Sequence, residues 1–200
     1  MGNHIYTIGR EFGSGGKEIG VALANRLGVK CYDKELLKEA SKESGYCAEI
    51  FENHDEKPTN SFLYSVYMLA QTAAGKGDML TNDGHIYVRE QAVIKQLAAK
   101  GSAIFLGHCA AEALKEYEGM VRVFIRCSDE EAKRQRIMEE YGIDAGKVEA
   151  VRKKFDKKRA NYYYANTVKK WDDFKNYELV LDSGKLGKET CVKMLCALVR

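Results

Sequence analysis

Two hundred residues hold a single proline and a single tryptophan, and no apolar run approaches the roughly 20 residues of a membrane span. No membrane partner is therefore expected. The first residues, MGNHIYTIGREFG, contain no apolar core of signal-peptide length. Six cysteines (31, 47, 109, 127, 191 and 196) are scattered without a C-x-x-C pair, which is no disulfide scaffold. Reduced thiols in a cytoplasmic protein are expected. The net charge of +3 is too mild to demand nucleic acid, though it would not hinder binding of a phosphorylated small molecule. No zinc-type spacing, no G-x-S-x-G and no Cys–His arrangement is present, so neither a zinc site nor a covalent nucleophile is read. Without repeats or low-complexity linkers, residues 1–200 read as a single domain, and 45% hydrophobic content suffices for a core.

What the chain has in abundance is glycine at one place. In GREFGSGGKEIG, residues 9–20, Gly9, Gly13, Gly15 and Gly16 precede Lys17. Glycine loses more backbone freedom on folding than any other residue, so a cluster marks an unusual bend or a close approach. Before it, Ile5-Tyr6-Thr7-Ile8 reads as a short buried strand. After it, Ile19, Leu23 and Leu27 recur every four residues, as in a helix with one buried face. Strand, glycine-rich turn, lysine and helix make a phosphate-binding P-loop, with backbone N–H groups and the helix N-terminus converging on an anion. The consensus G-x-x-x-x-G-K-[ST] is met only in part: Glu11 stands at the first glycine and Glu18 at the Ser/Thr that helps hold magnesium.

Further along, 29–32 reads as a weak strand, with Asp33 capping a helix through Ala40. Residues 45–83 are the least regular, and TNDGH (81–85) is read as a break before a helix over 86–99. Strands follow at 102–106, 121–125 and 179–181, alternating with helices over 129–141, 147–165 and 188–199. Such alternation predicts an α/β protein with a largely parallel sheet.

The stretch IGREFGSGGKEIGVALANRLGVKCYDKELL resembles the opening of the cytidylate-kinase-like family, P-loop kinases related to bacterial CMP kinase. The similarity extends over about residues 4–199, with further motifs in YDKELL and KKFDKKRANYYY…NYELVLDSGKLGKE. The resemblance implies a three-layer α/β/α P-loop NTPase fold. It would have a five-stranded parallel sheet, a helical acceptor-binding insert over about 33–100, and a lid with flanking basic helices over about 128–165.

It also implies site residues. Phe12, Gly13, Ser14, Gly15, Gly16, Lys17 and Glu18 would hold the phosphates of ATP with its Mg2+. Arg152, Asp156 and Arg159, at i, i+4 and i+7 of a helix where residues 147–159 carry seven basic and two acidic side chains, share one face. They resemble the R-x-x-x-D-x-x-R of CMP kinases, arginines toward phosphates and aspartate toward the acceptor nucleoside, with Lys153 where a second acid is common. Arg89, in YVREQAV, would contact the acceptor phosphate, and Asp33 would begin the first acceptor-facing helix, followed here by Lys34 rather than serine. Gly107-His108-Cys109 stands where CMP kinases show Gly-Arg-Asp, which removes an arginine and a carboxylate and puts CMP recognition in doubt. His108 can still donate a hydrogen bond to phosphate. Of the lid arginines Arg134 and Arg136, Arg134 is preferred, since the two do not share a face. LDSGKLG (181–187) resembles an adenine-pocket segment.

The sequence thus predicts a P-loop kinase that transfers phosphate from ATP to a small phosphorylated acceptor, a nucleoside monophosphate of the CMP or dCMP type. The alternative is a nucleotide-binding sensor or partner-binding protein of the same fold with weakened catalysis, motivated by Glu18, His108 and Cys109. Nucleic-acid binding through the basic helix is the more distant third. Oligomeric state is not legible.

Overall fold

Ile5 to Ile8 can be buried as a run only if both faces of the strand are covered. In the computed structural model, which describes residues 4–33 and 82–198 (82–86 and 89 in backbone only), that condition is met. Strand β1 (Ile5–Arg10) lies at the centre of the sheet, and residues 5–8 are at most 4% exposed. The other strands are β2 (Lys30–Tyr32), β3 (Ala103–Leu106), β4 (Met120–Arg126) and β5 (Leu179–Asp182). Their order is β2-β3-β1-β4-β5, all pairings are parallel, and Thr7 faces Phe105 on one side and Arg122 on the other.

Parallel neighbours require crossovers, and helices supply them. They are α1 (Gly16–Leu27), α2 (Asn82–Ala99), α3 (Ala110–Ala113), α4 (Glu130–Tyr141), α5 (Val148–Thr167), α6 (Ser183–Leu186) and α7 (Lys188–Cys196). Side chains alternate across the sheet. Tyr6, Ile8 and Ile104 pack with Ile19 and Leu23 of α1 and Val192 and Leu195 of α7. On the opposite face Ile5 and Phe105 meet Val93, Ile94 and Leu97 of α2. This is the expected three-layer α/β/α architecture with a five-stranded parallel sheet. A third cluster, Phe12 with Ile137 and Val148, joins α4 and α5 to the turn after β1.

Two local readings need correction. TNDGH does not interrupt the helix before β3, which already starts at Asn82. A glycine costs only about 1 kcal/mol in a helix, and short polar residues suit its first turn, while Val93, Ile94 and Leu97 anchor the rest. Helix α7 ends at Cys196 rather than 199. After β5, Asp182 caps α6, accepting from Gly184 N at 3.1 Å and from Ser128 N at 2.9 Å. The helix expected after Asp33 and residues 34–81 of the expected acceptor insert fall outside the described residues. None of the described cysteines forms a disulfide, and no helix among the described residues is long and apolar enough to cross a membrane.

Candidate active site

The chain leaves β1 at Arg10, turns through residues 11–15 and enters α1 at Gly16. Gly13 (φ 75°) and Gly15 (φ 76°) are left-handed, a conformation that side chains resist. Their surroundings differ. A Cβ on Gly13 would lie 2.7 Å from Ile137, so this glycine lets α4 pack onto the turn. A Cβ on Gly15 would instead approach Lys188 Cδ at 3.0 Å and Arg136 Cζ at 3.4 Å, so two cationic side chains flank the helix entrance. Gly15 provides no side-chain cap, and the first N–H groups of α1 have no acceptor within the helix. Donors and positive charge therefore gather where a phosphate would sit, and the turn fits a nucleotide's phosphate chain.

Glu11, which occupies a consensus glycine position, braces the turn. Its Oε2 accepts from Cys127 N at 3.0 Å and pairs with Lys133 Nζ at 3.2 Å. Lys133 is only 2% exposed and also meets Glu130 at 3.1 Å. Burial pulls its ammonium down, but its bonds and attraction to Glu130 and Glu11 hold it above the ordinary lysine value. Ser183 donates to the Ser14 carbonyl at 2.6 Å, and Arg136 donates to that of Gly13. Thus β4, α4 and α6 all fix one short segment.

Lys17 is half-exposed and lies 3.1 Å from Asp33 at the end of β2. Glu18 takes part in a carboxyl–carboxylate pair with Glu140 rather than offering a hydroxyl. Burial and the hydrogen bond to Glu18 push Glu140 up to about 7. Burial works against Glu18 too, but its hydrogen bonds and the charges of Lys188 and Arg136 bring it below the ordinary glutamate value. Among the described residues no group of three or more His, Cys, Asp or Glu side chains could hold a metal.

Helix α5 lies against the other side of the turn. Phe12 N donates to Asp156 Oδ1 at 2.7 Å, and Arg159 donates to the Arg10 carbonyl at 3.0 Å while lying 5.7 Å from the Phe12 ring centre. Phe12 stacks on Phe155 with ring centres 4.5 Å apart. Burial raises the Asp156 carboxyl despite the Phe12 N–H and the Arg159 charge. Arg152, one turn earlier, engages Glu149 at 2.8 Å and Glu130 at 3.8 Å instead. Arg134 is exposed on α4. Arg89 belongs to α2, but its side chain lies outside the described structure.

At the end of β3, His108 (φ 56°) and Cys109 (φ 51°) are consecutive left-handed residues, a costly conformation that clusters at functional sites. His108 Nδ1 lies 2.5 Å from Oε1 of buried Glu90, whose other oxygen accepts from Tyr162 OH. Gln91 donates to the His108 carbonyl at 3.1 Å. The structure thus brings Lys17, Asp33, Asp156, Arg159 and His108 to the C-terminal end of the sheet around β1, and leaves Arg134 exposed and Arg152 paired with acids. Sequence reasoning missed Glu11, Lys133, Glu90, Tyr162 and Lys188, and set Arg136 second.

A strand, a glycine-rich turn, a lysine and a helix at the centre of this parallel sheet define a P-loop kinase fold. The model of the cytidylate kinase-like family matches residues 5–185, and the chain belongs to that family. It is a kinase-like enzyme of the P-loop superfamily. A crystal structure of an uncharacterized protein from Eubacterium ventriosum is 27% identical, with 98% of each chain covered and a TM-score of 0.73. Shikimate kinase from Bacteroides thetaiotaomicron shares 13% identity over 98% of each chain with a TM-score of 0.52, a likeness of fold alone. No curated protein matches the sequence.

Proposed function

We propose that this chain transfers the γ-phosphoryl group of ATP to a small phosphorylated acceptor, a nucleoside monophosphate of the CMP or dCMP type. The observation that carries the proposal is the gathering of Lys17, Arg136 and Lys188 around an uncapped helix entrance, with Arg159 on the opposite side of the same turn. Phosphoryl transfer asks a protein mainly for alignment and positive charge. Lys17, leaving Asp33, holds the β- and γ-phosphates, and the backbone of residues 12–17 cradles them. Arg136 takes the charge-stabilising role expected of Arg134. Arg159, with Arg152 and Arg89, holds the acceptor's phosphate, and Asp156 positions both Arg159 and the turn. The acceptor's own phosphate oxygen attacks, so no protein nucleophile is needed. Magnesium, which would neutralise phosphate charge, would take water in place of the hydroxyl that Glu18 does not supply. Residues 33–100 would contain the acceptor insert and 128–165 the lid.

A second reading, a nucleotide binder with little turnover, is favoured by Glu90 holding His108 where relatives place an arginine. One assay separates them. ADP release is measured with magnesium and ATP against CMP, dCMP, UMP, AMP and GMP, for wild type and Lys17→Ala. Turnover stimulated by one acceptor and reduced about 100- to 1,000-fold by Lys17→Ala supports the kinase. Lys17-dependent ATP binding without stimulation by any acceptor supports the binder. ATP binding that is indifferent to Lys17 defeats both.

A further inference from the structure

A pocket opens on the sheet face away from α1, at the C-terminal ends of β1 and β3 and against α5. Its walls are aromatic: Tyr162, Tyr163, Trp171 and Tyr177. Tyr177 closes over β1 because Gly9 lacks a side chain there; a Cβ would come within 3.1 Å of its hydroxyl. Tyr177 OH donates to the Trp171 carbonyl at 2.6 Å, and Trp171 packs edge-on against Phe124 at 5.0 Å. Two rings are thus held in place by the fold rather than by a ligand.

Two buried polar atoms of the pocket's lining residues have no hydrogen-bond partner. Thr7 lines it, is 4% exposed, and its Oγ1 has no hydrogen-bond partner. Arg159 also lines it, and its buried Nε is likewise without a partner while another of its nitrogens holds the Arg10 carbonyl. A buried hydroxyl or guanidinium N–H left unpaired costs free energy, and native interiors rarely tolerate it. Arg159 Nε can only donate, and Thr7 can donate too, so both call for an oxygen-rich ligand. The carboxylates near the pocket are already engaged: Glu90 accepts from Tyr162 and meets His108, and Asp156 accepts from Phe12. The charged side chains on the rim are the cations Arg10 and Arg159, beside His108.

From this juxtaposition we infer that the acceptor's flat ring enters the aromatic pocket behind β1, with an oxyanion of the same molecule on Arg159 and a hydrogen-bond acceptor on Thr7. The ligand class is a ring-bearing oxyanion, phosphate or carboxylate. Identifying this ligand as the phosphoryl acceptor rests on the kinase proposal; the pocket's selectivity does not.

Trp171 is the chain's single tryptophan, so its emission reports occupancy without any turnover. The full chain is titrated with CMP, phenyl phosphate, benzoate and, as a ringless control, ribose 5-phosphate. Two variants accompany it: Thr7→Val, which removes the hydroxyl and keeps the shape, and Ala111→Leu, which fills the pocket from α3. ATP binding, with Lys17→Ala as control, is measured in parallel. Saturable emission changes with CMP or phenyl phosphate are expected, about tenfold weaker in Thr7→Val, the worth of one hydrogen bond, and lost in Ala111→Leu. Thr7→Val should melt no lower than wild type, because the hydroxyl it removes has no partner; a structural role would lower the melting point instead. Binding of benzoate in place of phenyl phosphate supports the same class with carboxylate as the oxyanion. Ribose 5-phosphate binding as tightly as CMP overturns the inference. So does the absence of any response while ATP binds in a Lys17-dependent way. Loss of that ATP binding, with ring compounds still bound, instead removes the kinase proposal and leaves a ring-binding pocket.

Discussion

The backbone N–H of Phe12 and the carboxylate of Asp156 meet at 2.7 Å across 144 residues of sequence. The turn that would hold phosphate is therefore tied directly to the basic helix α5. Asp156→Ala would leave the Phe12 N–H without its partner and Arg159 without its nearest acid, 3.7 Å away. A loss of about 1–3 kcal/mol in unfolding free energy is expected. Asp156→Asn keeps an oxygen for the N–H and should recover about half of it. Denaturant midpoints of the three proteins check this. Equal midpoints for wild type and Asp156→Ala would show that the contact contributes nothing.

Glu11 occupies a place where the P-loop consensus asks for glycine, and the structure explains the exchange. One carboxylate oxygen satisfies Cys127 N and pairs with Lys133, which is almost wholly buried. Glu11→Gly, the substitution that restores the consensus, should therefore destabilise the protein by about 2–3 kcal/mol. That is less than for a pair with no other support, because Glu130 still meets Lys133. Thermal melting decides it. A variant as stable as wild type would assign Glu11 no bracing role.

Arg134 and Arg136 differ by two positions on α4 and by everything in their surroundings. Arg136 donates to the Gly13 carbonyl and flanks Gly15, whereas Arg134 is exposed. Under the kinase proposal, Arg136→Ala should lower turnover by about 100-fold or more, the usual loss for a donor aimed at developing charge. Arg134→Ala should stay within a few-fold of wild type. Steady-state kinetics with the acceptor identified in the panel measures both. The reverse ranking would return the role to Arg134.

How much of this was visible beforehand follows from where the information lies. Ile5 to Ile8, the glycine cluster and the four-residue rhythm of Ile19, Leu23 and Leu27 are local signals, and β1, the turn and α1 appear where they predict. Gly28 ends α1 in the left-handed conformation, the common use of a glycine just past a helix. Partnerships between distant residues leave no such trace. Nothing near Glu11 says that Cys127 and Lys133 will come to it, and nothing near Phe12 points to Asp156. The choice between Arg134 and Arg136 had no local signal either. Lys133 and Ile137 are the buried residues of α4, and at about 100° per residue Arg134 and Arg136 lie equally far to either side of them. His108 was legible as a residue type at a strand end, but its pairing with Glu90 was not, although both sit in quoted motifs.

The Glu18–Glu140 pair gives the protein a dependence on pH with a definite sign. Glu140 as a residue is exposed, yet its carboxyl is partly desolvated against Glu18 and keeps its proton up to about 7, where an ordinary glutamate loses it near 4.5. Between those values the folded state binds more protons than the unfolded state. Stability from this group is complete below about 4.5 and is lost as pH rises through about 7. Glu18 is shifted the other way, so its contribution is present above the ordinary glutamate value and fades only on further acidification. The two windows do not overlap, which makes the Glu140 effect separable. Glu140→Gln keeps a donor to Glu18 but cannot ionise, so its urea midpoint should fall less than that of wild type from pH 5 to pH 8. The variant's advantage should grow from pH 5 to about pH 7 and then level off. Parallel pH profiles would mean that the two carboxyls do not share a proton.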